Sequence, residues 1–277
     1  MRAILVLLFI SGGFAVAQPK PTPVNAAPES YPVWWASDGN LRLAKIEDAE
    51  TLLAEPFSNE DLDSLRHPPD DYSGPPQPLA HNCKELLAVV TPNNFSSPNR
   101  VGAWGWIGAR CAELRELAHA VPARHSAVQS PIWTPAVVSL LPARIFAAGD
   151  EESHRAAIEA DLKGLSLSQY WTGMTDAQGR QRGKARKGIP IHHAFGFGDE
   201  SFELGAELKD DTNAGVYLID FDYYNVVARG DFIGDGWEDL LVETMWHAYR
   251  NAWTNVAVYV LTRKTVAGRI EIVKQVF

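Results

Sequence analysis

The sequence predicts an α+β protein, with an N-terminal helical region that contains one disulfide and a C-terminal antiparallel β-meander. Two observations lead to this prediction. Up to about residue 178, apolar residues recur at helical spacing between proline-rich breaks, whereas from Gly188 onward they fall in short alternating runs separated by turn residues. Strands and helices do not alternate regularly along the chain, so the sequence does not indicate a parallel sheet. We therefore divide the chain into residues 1–17, 18–30, 31–178 and 188–277.

Residues 1–17 have the anatomy of a secretory signal peptide. Arg2 precedes a short apolar run, and Ala15, Val16 and Ala17 form a small-residue cleavage site. Residues 18–30 contain four prolines and are typical of an extended linker. This beginning predicts a secreted or periplasmic protein. Because the apolar run is too short to span a bilayer, we expect no membrane insertion.

The formal net charge is −9, from 34 acidic and 25 basic residues. Such a surface repels nucleic acid and anionic lipid, so we expect no nucleic-acid partner.

The helical region begins with a predicted helix at residues 43–54, where Ile46, Ala49 and Leu53 share one face. A later helix is predicted to start after Asp150 and to end at Gly164. Its apolar spacing predicts that Ile158 and Leu162 face the core.

Cys83 and Cys111 are the only two cysteines, and in a secreted chain an isolated pair predicts a disulfide. Each lies on the apolar stripe of its own predicted helix. Asn82, with Glu85 three residues later, has the pattern of an N-cap for the first of these helices. We therefore expect a helical hairpin with the two Cα atoms about 4.4 to 6.8 Å apart.

The C-terminal region contains runs with strand-like alternation at residues 216–227, 239–246, 256–262 and 270–276. Turns rich in Gly, Asn and Asp join these runs. We expect one antiparallel sheet in which Leu241 faces the core and Trp237 lies near a turn.

The most informative segment is the acidic loop from Asp231 to Asp239. Three carboxylates stand at positions 1, 5 and 9 of a cation loop, and Gly236 at position 6 permits a sharp turn. The Trp237 carbonyl at position 7 would be a fourth ligand. The predicted calcium ligands are therefore Asp231, Asp235, Trp237 and Asp239. Ile233 supplies no oxygen at position 3, so an acidic turn that caps a strand is the alternative.

This segment resembles the calcium loops of FG-GAP and integrin-like repeats, whose core is roughly Asp-x-Asn-x-Asp-Gly-x-x-Asp. It also resembles a stretch near the end of many uncharacterised secreted proteobacterial proteins. The likeness is strong over about fifteen residues and extends weakly to Arg263. The resemblance implies bound calcium but no particular activity.

Four other groups of residues are candidates for binding or chemistry. Asp220 and Asp222 lie two apart on a predicted strand, so their side chains would face the same way. They would act as added calcium ligands or as an acid/base pair, or they would form a solvated acidic rim. A basic segment would bind an acidic partner or form a solvated loop. Two adjacent histidines would point to opposite faces of a strand. Four tryptophans would stack on sugars or fill the core. These groups are Arg180, Arg182, Lys184, Arg186 and Lys187; His192 and His193; and Trp34, Trp35, Trp104 and Trp106.

These observations favour a secreted binding protein with a protein partner, such as an inhibitor or an immunity-type protein. The alternative is a secreted hydrolase of cell-wall sugar or peptide polymers that uses the carboxylates of the C-terminal region. An enzyme would gather those carboxylates in a concave pocket, whereas a binding protein would place them on a convex rim beside an exposed apolar patch. The chain has no Gly-x-Ser-x-Gly or His-Glu-x-x-His motif.

Overall fold

A computed structural model describes ten stretches of the chain. They are residues 30–36, 41–44, 46–66, 80–90, 103–146, 151–173, 196–197, 200–210, 215–248 and 254–277. The predicted signal peptide and nearly all of the linker lie outside these residues. So do the basic segment and the adjacent histidines.

The protein has the α+β architecture that the sequence predicts, with the helices in the N-terminal part and most strands in the C-terminal part. The helices are α1 (Ile46–Ala54), α2 (Asn59–Leu65), α3 (Cys83–Val89), α4 (Ala103–His119), α5 (Pro135–Val138) and α6 (Glu151–Leu162). A 3₁₀ turn at Ala143–Ile145 and a helical segment at 167–173 complete the helical part. None of the described helices is both long enough and apolar enough to cross a membrane.

Eight strands form one antiparallel sheet. They are β1 (Trp34–Ala36), β2 (Leu41–Leu43), β3 (Gly196–Phe197), β4 (Ser201–Asp210), β5 (Gly215–Gly230), β6 (Asp239–Ala248), β7 (Thr254–Thr262) and β8 (Glu271–Gln275). The order is β2-β1-β5-β6-β7-β8, and β4 pairs with both β3 and β5. The predicted meander of the last four strands is therefore confirmed.

The sheet is covered on both faces. On one face, α1 to α4 pack against a cluster that contains Leu241, Val258 and Phe277. On the other face, residues 132–171 pack against a cluster that contains Leu240, Val242 and Leu261. Successive residues of β6 thus enter opposite cores, as strand geometry requires. Leu241 is 1% exposed, which confirms that it faces the core.

The predicted disulfide is present and links α3 to α4. The Cα atoms of Cys83 and Cys111 are 5.0 Å apart, within the expected range. The predicted cap is also present, because Asn82 accepts a hydrogen bond of 3.0 Å from the Glu85 N–H, while the Glu85 carboxylate accepts one from the backbone N–H of His81. The disulfide therefore holds α3 and α4 together against the sheet.

Two features differ from the expectations. The N-terminal region also contributes β1, which pairs with β5, and β2, which pairs with β1. These strands were not predicted because each has only three residues. The inward face of α6 was wrong, since Ile158 and Leu162 are exposed whereas Ala157 and Ala160 are buried. Small residues let this helix approach its neighbours closely, so residue size misled the assignment of its faces.

Candidate functional site

The acidic loop connects β5 to β6, and Asp231 organises its backbone. One carboxylate oxygen of Asp231 accepts hydrogen bonds from the N–H groups of Gly234 and Asp235, and the other accepts one from Gly236 at 2.7 Å. Gly234 and Gly236 have φ values of 77° and 86°, a region that side chains with a Cβ rarely adopt. Asp231 is 4% exposed, so three backbone donors stabilise a buried carboxylate.

Asp235 lies at the outer rim of the loop, where it pairs with Lys264. Its carboxylate accepts a hydrogen bond of 2.9 Å from the Trp237 N–H and forms an ion pair of 2.9 Å with the Lys264 ammonium. Partial burial raises the pKa of Asp235, but the hydrogen bonds from Lys264 and Trp237 outweigh it, so the pKa lies below its ordinary value. The same contact raises the pKa of Lys264.

Asp239 lies at the inner end of the loop and is fully buried. One carboxylate oxygen accepts a hydrogen bond of 3.0 Å from the Phe232 N–H, while Oδ1 has no well-aligned partner among the described residues. Burial, together with the charges of Asp235 and Asp231, raises the pKa of Asp239 to about 6. The Thr262 hydroxyl and the Phe232 N–H oppose this rise.

The donor set of the loop fits calcium only in part. Carboxylate oxygens suit a hard cation, and an oxygen of Asp239 is open. However, protein donors occupy Asp231 and Asp235, and Ile233 supplies no oxygen. In the described part of the chain, no group of three or more His, Cys, Asp or Glu residues is placed to hold a metal ion. Calcium binding by Asp231, Asp235, Trp237 and Asp239 therefore stays a prediction.

A neighbouring segment, residues 121–125, clamps the loop through its backbone. Val121 and Asp231 exchange two backbone hydrogen bonds of 3.1 and 2.9 Å. The carbonyl of Gly236 accepts hydrogen bonds from the N–H groups of Arg124 and His125. The loop is therefore a fixed element, held at both ends and in the middle.

Glu238 anchors the loop from below. Its side chain is 1% exposed and accepts two hydrogen bonds of 2.9 Å from the Arg229 guanidinium. Ser126 donates to its other oxygen. The sequence analysis missed these partners, although Arg229 and Glu238 flank the loop at the ends of the paired strands. Both guanidinium contacts converge on one oxygen of Glu238, and this buried charged pair links the end of β5 to the start of β6.

The outer surface of the loop is partly apolar. Ile233 is 38% exposed and Val121 is 45% exposed. The rings of His125 and Trp237 lie 5.1 Å apart. We call Val121, Arg124, His125, Ile233 and Trp237 the loop face.

The structure describes the other predicted candidates only in part. Asp220 and Asp222 belong to β5, and their side chains lie outside the described residues. Of the four tryptophans proposed as a stacking platform, Trp104 is 2% exposed in the core and Trp106 is 41% exposed on the same helix. Trp34 and Trp35 are half-buried in β1.

A pair of carboxylates that the sequence did not indicate lies between α4 and the sheet. Burial, and next the charge of Glu243, raise the pKa of Glu113 well above its ordinary value, while Arg110 lowers it. Burial raises the pKa of Glu243 to about 7. Alternation along β6 places Glu243 on the same face as Leu241, which α4 helps to cover. No spacing in the sequence relates two residues so far apart.

Comparisons with known proteins identify no relative. No protein-family model, no curated protein and no solved structure matches this chain. The likeness of the acidic loop to FG-GAP repeats therefore stays a prediction that rests on its own residues.

Proposed function

We propose that this protein is a secreted or periplasmic binding protein that recognises a protein partner through the loop face. The observation that carries the proposal is an exposed apolar and aromatic surface on a rigid backbone. Tryptophan and arginine are enriched among the residues that dominate binding energy at interfaces. Function also concentrates in loops that a rigid scaffold positions.

The rigidity of the loop lowers the entropic cost of binding. Asp231 holds three backbone amides, and Glu238 holds Arg229 and Ser126. A surface that is already ordered loses little freedom when a partner binds. The loop face therefore suits an inhibitor or immunity-type protein, which presents a preformed surface.

The placement of the loop carboxylates favours binding over hydrolysis. Asp235 lies on the outer rim near the exposed Ile233, Asp239 is fully buried, and Asp231 is bound by backbone amides. Among the described residues, these three carboxylates are buried or bound by protein donors, which supports binding over the exposed acid and base that a hydrolase needs. The exposed Ile233 and Val121 support the apolar patch that a binding protein would present.

Two further elements of the proposal are the compartment and the cation. Disulfides persist in oxidising compartments, so the Cys83–Cys111 bond supports secretion. Calcium is the proposed cofactor, because burial and, after it, the charges of Asp235 and Asp231 raise the pKa of Asp239, and a divalent cation would convert the repulsion among these carboxylates into attraction. Calcium would then tighten the same loop that carries the loop face.

Site-specific photo-crosslinking tests this proposal. A photo-crosslinking residue at position 233 should give one discrete protein adduct in the periplasmic or secreted fraction of the producing cells. Val121→Asp should abolish the adduct because it places a charge in the loop face. Leu162→Asp is the control, since Leu162 is 82% exposed on α6 outside this face.

Three results would contradict the proposal. One is an equal adduct from a crosslinker at position 162, and another is an adduct that survives Val121→Asp. The third is catalytic turnover of cell-wall sugar or peptide polymers by the purified protein, which would favour the hydrolase.

A further inference from the structure

The carboxylates of the acidic loop are already balanced or withdrawn from the surface. Asp231 is bound by three backbone N–H groups, and Asp235 forms an ion pair of 2.9 Å with Lys264. Glu238 is buried and bound by the arginine of β5, and Asp239 is fully buried. The loop therefore offers a partner little unbalanced negative charge, although four of its nine residues are acidic.

Arg124 is an exposed cation on the loop face, and its side chain begins against the loop. Its backbone N–H donates a hydrogen bond of 2.8 Å to the Gly236 carbonyl. The Arg124 Cδ would lie 3.9 Å from a Cβ built on Gly236, so the aliphatic part of the side chain runs beside the loop. Within the described part of the chain, no carboxylate lies within ion-pair distance of its guanidinium.

The other members of the loop face are apolar or aromatic. Val121 and Ile233 are exposed, and the ring of Trp237 lies beside that of His125. An ion pair gains strength when such neighbours exclude water from it. A phosphate-rich polymer instead needs several free cations, and Lys264, the nearest other basic side chain on the rim, is already paired with Asp235.

We propose that the partner presents an Asp or Glu side chain next to an apolar side chain, and that Arg124 pairs with this carboxylate while Ile233 and Val121 contact the apolar group. This inference rests on the proposed function and names the chemistry of the partner. An arginine guanidinium matches a carboxylate with two parallel hydrogen bonds. Because the whole chain has a formal net charge of −9, a local cation also orients an acidic segment on this face.

Panning of a random peptide library on the whole protein, with its disulfide intact, tests the inference. We expect the selected peptides to carry Asp or Glu beside Leu, Ile, Phe or Trp. A synthetic copy of the most frequent peptide should bind about tenfold more tightly than a copy in which Asn and Gln replace Asp and Glu. Selection of peptides without acidic residues, or equal binding of the two copies, would overturn the proposal.

Arg124→Gln assigns the binding to this guanidinium. The clamp on the loop uses the backbone N–H of residue 124, which glutamine retains, so the melting temperature of the free protein should not change. Affinity for the acidic peptide should fall about tenfold in Arg124→Gln and stay unchanged in Arg66→Gln, at the exposed end of α2. Arg124→Lys should recover part of the loss, because it restores the charge without the paired hydrogen bonds.

Two results with these variants would overturn the proposal. One is full affinity of Arg124→Gln for the acidic peptide, or no recovery in Arg124→Lys. The other is binding of double-stranded DNA that Arg124→Gln abolishes, because the ligand group would then be a phosphate.

The photo-crosslinker at position 233 separates this inference from the proposed function. The adduct should fall about tenfold when Arg124→Gln is added. An undiminished adduct would overturn the acidic partner and leave a protein partner in place. Absence of an adduct with the natural Arg124 would remove the proposed function and this inference together.

Discussion

Glu243→Gln is expected to stabilise the protein at pH 8, because it removes a carboxylate that burial makes hard to ionise. The pKa of Glu243 is about 7 in the folded protein against 4.5 ordinarily. The folded state therefore binds this proton more tightly than the unfolded chain does. The stability that protonated Glu243 contributes is complete below pH 4.5 and is lost as the pH rises through about 7.

The magnitude follows from the size of the shift. Each pKa unit corresponds to about 1.4 kcal/mol, so ionising Glu243 costs at most about 3 kcal/mol of stability above pH 7. Glutamine has nearly the same shape and carries no charge. It also removes the charge that helps to raise the pKa of Glu113. The variant should match the natural protein near pH 4.5 and exceed it by about 1 to 3 kcal/mol at pH 8.

Urea unfolding followed by tryptophan fluorescence, with the disulfide intact, measures this difference at pH 5 and pH 8. Glu116→Gln is a matched contrast on α4, since Glu116 is 5% exposed but accepts two hydrogen bonds from Lys274, at 2.8 and 2.9 Å. It should lower stability by about 1 to 3 kcal/mol. The reasoning fails if Glu243→Gln lowers stability at pH 8, or if its effect is the same at both pH values.

Three other changes test the fold and the loop. Cys83→Ser should lower the free energy of unfolding by about 3 to 4 kcal/mol under oxidising conditions and should leave it unchanged under reducing conditions, because the disulfide restricts the unfolded chain. An equal loss under both conditions would contradict this reasoning. Gly108→Ala should lower the melting temperature, because its Cβ would overlap the Phe277 ring; an unchanged melting temperature would show that the ring can move. Calcium at 100 times its dissociation constant should raise the free energy of unfolding by about 2.7 kcal/mol. Asp235→Ala should abolish this gain, and Ile233→Asn should increase it. Calorimetry without heat at millimolar calcium would refute the calcium site.

Local patterns predicted the elements whose signal lies within a few residues. The helical stripe around each cysteine predicted the disulfide, and alternation from residue 216 onward predicted the meander. Turn chemistry also marked Gly236, because a sharp acidic turn needs a residue that accepts positive φ.

Contacts between distant residues could not be predicted in this way. Glu113 and Glu243 lie on different elements, and Lys274 pairs with Glu116 from a strand 158 residues further along the chain. The buried face of α6 was misjudged because Ala157 is inconspicuous in a sequence next to Ile158. The loop was placed correctly, but the bond from Lys264 to Asp235 joins two different turns and has no local signature.

The pairing of β1 with β5 has a consequence for how the chain reaches its folded state. Trp34 lies opposite Arg229, so nearly two hundred residues separate the two sides of that contact. Sheets built from such remote partners fold slowly, because a long loop must close before the contact forms. Until β1 arrives, that end of β5 presents an unpaired edge, which is a template for self-association. We therefore expect β1 to act as a late-arriving cover and its deletion to promote aggregation during folding.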